Sequence, residues 1–248
     1  PRAEPEPIEQ MELKHDFNFL AVSQISPRKN FDNMVKWFVE EFIDQEVGLV
    51  IKTNIASNSI IDWEHLQGRM SQLIEGYKDR KCSVYLLHGD LSAGQMTGLY
   101  QNDKIKGMIN IAHGEGFGLP MFEAAREGLP ITTVGWSGQL DFLHHDGKDY
   151  FNKVDYTIQP IQQQAVWPGV LEADSMWANA DQGSYKMALR KAFKSYDKMK
   201  TRAEELHVII NDKFSDEKLF ERFNDNFFSK EEIDLSNEIN ALFGELSD

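Results

Sequence analysis

The chain predicts an α/β fold in which a parallel sheet carries helices on both faces and further helices follow at the C-terminus. Three observations support this. Short apolar runs alternate with amphipathic stretches from residue 18 to residue 134. The runs are almost continuously apolar instead of alternating, the pattern of strands buried on both sides. Residues able to do chemistry gather just after those runs, and ligands of such sheets lie beyond the carboxyl ends of the strands.

The elements follow in order. Residues 18–23 (Asn-Phe-Leu-Ala-Val-Ser) read as the first strand. Phe31, Met34, Val35, Phe38, Val39 and Phe42 then recur at the spacing of an amphipathic helix. Residues 48–52 form the second strand, 62–77 the second helix and 83–87 the third strand, with a weak short helix over 91–101. A fourth strand at 108–112 leads to a helix over 121–127 opened by Pro120, and 131–134 is the fifth strand. This alternation is that of a Rossmann-like sheet. Beyond residue 145 the rhythm changes. Residues 150–161 look extended and 162–173 irregular; 184–211 reads as one long helix, and Ser215 caps a helix running to Phe228. The expected organisation is a linker at 1–15, a Rossmann-like domain at 16–229 and an acidic tail or helix at 230–248. Pro1-Arg2-Ala3-Glu4-Pro5-Glu6-Pro7 reads as linker, with an expectation that something precedes it.

Composition narrows the function classes. The 248 residues are 41% hydrophobic and 27% charged, enough for a sizeable core, and the net charge is −14. An acidic surface of this kind repels nucleic acid and anionic lipid. The basic clusters, Arg28-Lys29 and Lys78, Arg80, Lys81, are short. The single cysteine, Cys82, has no internal disulfide partner and reads as a buried thiol in a reducing compartment. No apolar run approaches the ~20 residues of a membrane span, and no signal peptide is visible. The expected location is cytoplasmic. His144-His145-Asp146 lacks a third ligand at sensible spacing, so no metal is expected.

The most informative stretch is His113-Gly114-Glu115-Gly116-Phe117-Gly118-Leu119-Pro120-Met121-Phe122-Glu123-Ala124-Ala125. It places three glycines and a carboxylate between a strand and a helix N-terminus, where backbone N–H groups and the helix dipole favour an anion. The spacing fails the dinucleotide fingerprint, because Leu119 stands where a small residue is needed, and no Lys-Ser/Thr pair completes a P-loop. Gly116-Phe117-Gly118-Leu119 lets a ligand approach the backbone closely. Glu123 is placed in the first turn of the helix. Arg28-Lys29 follows the first strand and opens the first helix as a short cationic pair. Lys52 ends the second strand at the same sheet edge and reads either as a polar terminus or as a cation near a ligand; Asn54 is a weaker candidate. His88-Gly89-Asp90 follows the third strand. His113 reads as a hydrogen-bonding residue ahead of a catalytic one. Ser137-Gly138-Gln139-Leu140-Asp141 is not diagnostic, and Trp177-Ala178-Asn179-Ala180-Asp181 reads as packing and capping.

Glu115-Gly116-Phe117-Gly118-Leu119-Pro120, then Glu123-Ala124 and Gly128-Leu129-Pro130, resembles the Glu-x7-Glu signature of retaining GT-B glycosyltransferases, family 4 in particular. The resemblance spans roughly residues 15–225 and corresponds to the C-terminal, donor-binding half of a GT-B enzyme. It implies a donor domain for a nucleoside diphosphate sugar (UDP-, GDP- or ADP-linked), with no permanent cofactor and a metal-independent mechanism. Lys29, seconded by Arg28, would neutralise the pyrophosphate. Glu115 would lie by the donor sugar and Glu123 on the ribose, with the amides of Gly116, Phe117, Gly118 and Leu119 on sugar and diphosphate. The loop around His88, from Leu87 to Leu91 and assisted by Tyr100, would read the base. Many relatives carry Arg five residues before the lysine; here position 24 is Gln. The implied activity is hexosyl transfer with retention to an unidentified glycan, lipid or protein acceptor held by a missing N-terminal domain. The alternatives are a non-catalytic nucleotide-sugar-binding or interaction module, or a GT-B epimerase or phosphorylase relative.

Overall fold

The computed structural model describes residues 3–9, 11–55, 58–228 and 235. It divides the chain into two compact units, Arg2–His207 and Val208–Asp248, the latter with Pro1. In the first unit, strands β1 (Asn18–Val22), β2 (Gly48–Thr53), β3 (Ser83–His88), β4 (Ile105–Asn110) and β5 (Ile131–Val134) alternate with helices α1 (Phe31–Glu41), α2 (Ile60–Ile74), α3 (Ala93–Gln101) and α4 (Leu119–Arg126). A short helix α5 (Leu140–Leu143) and a small antiparallel pair, β6 (His144–His145) and β7 (Lys148–Asp149), lead to β8 (Asn152–Val154). The main sheet has the order β3-β2-β1-β4-β5-β8, and every pairing in it is parallel. A hairpin of β9 (Tyr156–Pro160) and β10 (Met176–Ala180) follows, then α6 (Gln182–Lys194) and α7 (Tyr196–Lys213). The second unit contains the end of α7 and α8 (Asp216–Phe227).

The core explains why these segments fold as they do. All six residues of β2 are buried, which suits a strand covered on both faces. The buried residues of α1 are Phe31, Met34, Val35, Phe38 and Val39, the stripe its periodicity predicts. Phe38 meets Phe42 at 5.1 Å and Phe19 of β1 at 6.1 Å between ring centroids. Tyr185 of α6 is fully buried and its hydroxyl donates to Met34 O at 3.3 Å, which fastens α6 to α1. Cys82 is a buried thiol whose pKa burial pushes up.

Several boundaries differ from the sequence expectation. The predicted single helix over 184–211 breaks at Ser195, which leaves helical geometry as it caps α6. The break lets α6 bury Ala188, Leu189 and Ala192 while α7 turns Met199, Ala203 and Leu206 inward. The extended stretch 150–161 divides between β8, a sixth parallel strand, and β9. The irregular stretch 162–173 contains one helical turn, Gln163–Ala165, and a bridge between Trp167 and Leu171. The N-terminal stretch packs along α3: the Glu6 N–H donates to Gly94 O at 2.9 Å, and its carboxylate accepts from Ser92 Oγ at 2.8 Å. A Cβ on Gly98 would lie 2.0 Å from Glu6 O, so this approach requires glycine. The acidic stretch 230–248, apart from Leu235, lies outside the described residues. Among the described residues no helix is long and apolar enough to cross a membrane.

Phe38→Ala should cost about 3–5 kcal/mol of stability, the usual loss for a buried phenylalanine. Urea unfolding of the variant against the parent chain measures it. A loss below about 1 kcal/mol would place Phe38 outside the packed core.

Candidate functional site

The residues singled out after β1 and after β4 meet in space. The chain leaves β1 and makes a short helical turn, Pro27–Lys29, closed by Asn30 in the left-handed region at φ 52°. The Asn30 side chain donates to Ile111 O at 3.2 Å, and the His113 N–H donates to Arg28 O at 2.8 Å. These two bonds dock the cationic turn onto the segment that leaves β4.

Glu115 is the centre of the arrangement. Its side chain is only 8% exposed. One carboxylate oxygen accepts from Lys29 Nζ at 2.6 Å and from Asn110 Nδ2 at 3.0 Å. The other accepts from Arg28 Nη1 at 3.0 Å, and the same guanidinium nitrogen also donates to Gly114 O. Burial pushes the Glu115 pKa up. Lys29, Asn110 and Arg28 outweigh it and hold the carboxyl below the usual carboxylate range. Asn110 is itself oriented, because its Oδ1 accepts from the Ala112 N–H at 2.8 Å.

The three glycines of the turn have different reasons. Gly118 has φ 85° and caps α4, a conformation that favours glycine. Gly116 needs no such conformation, and a Cβ there would meet nothing within 4 Å. Its missing side chain leaves open space above the turn. A Cβ on Gly114 would make ordinary contact with Ser137 Oγ at 3.6 Å. The start of α4 leaves the N–H groups of Gly118 and Leu119 without intrahelical acceptors, as at any helix N-terminus. The helix begins at Leu119, so Glu123 sits beyond its first turn, which holds no acidic residue. There Glu123 accepts from Tyr100 of α3 at 3.0 Å. Burial and the neighbouring Glu123 push the Tyr100 phenol far above its ordinary pKa, so it remains a neutral donor. Phe117 points its ring toward Phe122 and Phe142, at 5.2 and 5.1 Å.

The floor beneath this turn comes from residues whose sequence carried no functional signal. Ser137 sits at φ 83°, rare for a residue with a side chain. Its Oγ accepts from the Glu115 N–H at 3.0 Å and donates to Glu115 O at 2.7 Å. Gly138 donates its N–H to Glu115 O at 3.0 Å, and a Cβ there would lie 1.9 Å from Gly116 O. Ser137-Gly138 is therefore shaped to press against the Glu115–Gly116 backbone. Only the left-handed conformation at Ser137 and the close approach at Gly138 reveal this, and neither is visible in sequence.

Lys52 and His88 lie further along the same sheet edge. Lys52 is buried and donates from Nζ to Gly89 O, and burial pulls its pKa down although Asp90 opposes this. His88 Nε2 is buried without a hydrogen-bond partner among the described residues. A cleft of about 690 Å³ opens beside it, lined among others by Ile8, Trp63, Leu87 and Leu91. His113 has its Nδ1 within 2.7 Å of Ala178 O and is a buried hydrogen-bonding residue. His144 pairs with Asp149 at 2.7 Å whereas His145 Nε2 donates to Phe142 O at 3.0 Å, so the two rings face different partners. Among the described residues no group of three or more His, Cys, Asp or Glu is placed to hold a metal ion. Asp181 caps α6 by accepting from the Ser184 N–H at 2.7 Å.

No protein-family model matches the chain, and no curated protein matches it. Solved structures do. The chain is similar to Anabaena HepE in complex with UDP and glucose, at TM-score 0.58 and 16% identity, over 86% of this chain and 48% of that one. It is similar to a variant of S. aureus TarM in complex with fondaparinux, α-GlcNAc-glycerol and UDP, at TM-score 0.56 and 14% identity, over 87% of this chain and 36% of that one. It is also similar to the C-terminal domain of the glycosyl transferase group 1 family protein LpcC from Francisella tularensis, at TM-score 0.52 and 12% identity. That match covers 81% of this chain and 87% of the other. The chain thus spans half or less of HepE and TarM. The likeness establishes the fold, a Rossmann-like parallel sheet shared with GT-B glycosyltransferases.

Glu115→Gln tests the charge at the centre of the site. A carboxyl whose folded pKa is depressed contributes its full stability above the unfolded value of about 4.3, and loses it as pH falls through the folded value. The variant should melt below the parent at pH 7, and the gap should narrow as the pH falls below the unfolded value of about 4.3. A gap that stays constant with pH would show that the carboxylate's charge contributes nothing.

Proposed function

We propose that this chain is the donor-binding half of a retaining glycosyltransferase that takes a hexose from a nucleoside diphosphate sugar. The observation that carries the reading is the buried Glu115 carboxylate, held by Lys29 and Arg28 beyond the carboxyl ends of β1 and β4 and next to the start of α4. Cations, an open glycine turn and a helix N-terminus at one sheet edge suit a diphosphate. Retention, the hexose and the absence of a metal requirement rest on the resemblance of Glu115–Glu123 and the surrounding residues to the family 4 signature.

In this reading the departing diphosphate develops charge, and preorganised donors stabilise it. Lys29 has three N–H groups and spends one on Glu115; Arg28 has five and remains 40% exposed. Both keep donors for an incoming phosphate while Glu115 holds them in place. Gly116 and Gly118 give the diphosphate and sugar access to backbone N–H groups, and Glu115 meets the sugar hydroxyls. Glu123, set by Tyr100, accepts from the ribose hydroxyls. Lys52 and the backbone around His88 face the nucleoside. The acceptor, a glycan, lipid or protein, would be held by a second domain, and the chain's span of half or less of HepE and TarM supports that division. The chain by itself would then bind donor and transfer little.

Calorimetric titration with UDP, GDP and ADP should find one nucleotide that binds, and none binding to the folded chain would refute a donor domain complete in itself. Lys29→Ala should weaken that nucleotide by about tenfold or more and leave its nucleoside unchanged; equal losses would remove Lys29 from the phosphates. Gly116→Ala should keep or raise stability, by up to about 1 kcal/mol, because the backbone permits it and the space is open. The same substitution should impair nucleotide binding, and undiminished affinity would place the ligand elsewhere.

A further inference from the structure

The hairpin of β9 and β10 is not needed to complete the parallel sheet, yet it reaches the cationic turn. Trp177 of β10 is buried and stacks on the His113 ring, with centroids 4.3 Å apart and planes 12° from parallel. His113 Nδ1 donates to Ala178 O at 2.7 Å, and the Ala178 N–H donates to His113 O at 3.1 Å. The His113 N–H in turn holds Arg28 O at 2.8 Å. The hairpin's connecting segment makes a second contact, since the turn Gln163–Ala165 lies against Pro27–Lys29. That segment has its own small core of Ile161, Ala165 and Trp177, with Val166 and Leu171 packed on it. Residues 156–180 contain no Lys or Arg, and their only charges are Glu172 and Asp174. The hairpin therefore has no cation to offer a diphosphate, and its bonded route to one runs through the Arg28 backbone it helps to hold.

We propose that the hairpin is a positioning element for the cationic turn, and that His113 and Trp177 are the positioning residues that set Arg28 and Lys29 for a diphosphate. This rests on the donor-site reading above. The stack fixes the plane of the imidazole. The bond to Ala178 O fixes its tautomer, with the proton on Nδ1, because a carbonyl only accepts. A fixed ring fixes the His113 backbone, whose N–H then orders the Arg28 carbonyl and the side chains that follow. Loosening the stack should leave the cations present but displaced, and a misplacement near 1 Å is enough to cost binding to a preorganised site.

The test measures the affinity of the parent chain, Trp177→Ala, Trp177→Phe and Ile161→Ala for inorganic pyrophosphate, for the best-binding nucleoside diphosphate and for its nucleoside. Trp177→Ala should lose about tenfold for pyrophosphate and nucleotide while the nucleoside changes less than about twofold. Trp177→Phe, which keeps an aromatic face on His113, should recover most of that loss. Ile161→Ala loosens the hairpin without touching His113 and should show the same selective loss, which keeps the test valid if Trp177→Ala fails to fold. Equal losses for nucleoside and diphosphate, or no loss in folded variants, would overturn the positioning role. If the parent chain binds pyrophosphate but no nucleotide, the donor-site reading fails while the pyrophosphate series still decides the hairpin's role. If the parent binds neither, both fall.

Discussion

A single buried carboxylate organises the candidate site at the edge of the parallel sheet. Glu115 is taken almost wholly out of water, which costs several kcal/mol for an unpaired charge. Its two oxygens recover that through three side-chain donors drawn from two segments, Arg28 and Lys29 of the turn after β1 and Asn110 at the end of β4. Each donor is held in turn. Asn110 is locked by the Ala112 amide, and the turn bearing Lys29 and Arg28 is docked by Asn30 and His113. Glu115 thus adds charged bonds to the backbone and Asn30 bonds that tie the end of β4 to the turn before α1.

The backbone of the same residue is constrained from its other side. Ser137 takes an unfavourable left-handed conformation, and Gly138 approaches the Gly116 carbonyl more closely than any side chain would permit. Strain of this kind persists only where surrounding contacts over-determine it. Here it supports a turn whose outer side, at Gly116, is open. The turn is thus pressed on one side by Ser137-Gly138 and left open on the side of Gly116.

Much of this was legible in the chain. Strand and helix order through residue 134 followed from apolar runs and helical spacing, because strands buried on both faces and one-sided helices have different periods. Arg28, Lys29, Glu115 and the glycine turn were visible because their residue types are unusual for plain turns. Glu123 stands out in sequence as a candidate in the first turn of the helix, whereas its place beyond that turn and its bond from Tyr100 depend on where Gly118 caps α4. Ser137 and Gly138 stand out in sequence only as an undiagnostic loop, and Asn110 only as the end of an apolar run, because small polar residues at such places are common and their role is a matter of distance. The sequence marks β9 only within an extended stretch and β10 only as packing and capping residues, since short strands with mixed exposure leave little periodic signal.

The sequence by itself determined the alternation that makes a parallel sheet, the burial of the α1 stripe and the presence of cations, carboxylates and glycines after the strands. These are local properties, set by side-chain pattern and backbone preference. The tertiary structure alone decided that Lys29 and Arg28 pair with Glu115, 86 and 87 residues away, and that β8 becomes a sixth parallel strand. It alone joined the β9–β10 hairpin to the cationic turn through His113 and Trp177. Such pairings depend on long-range packing, in which one buried charge selects its partners from whatever the fold brings within hydrogen-bond reach.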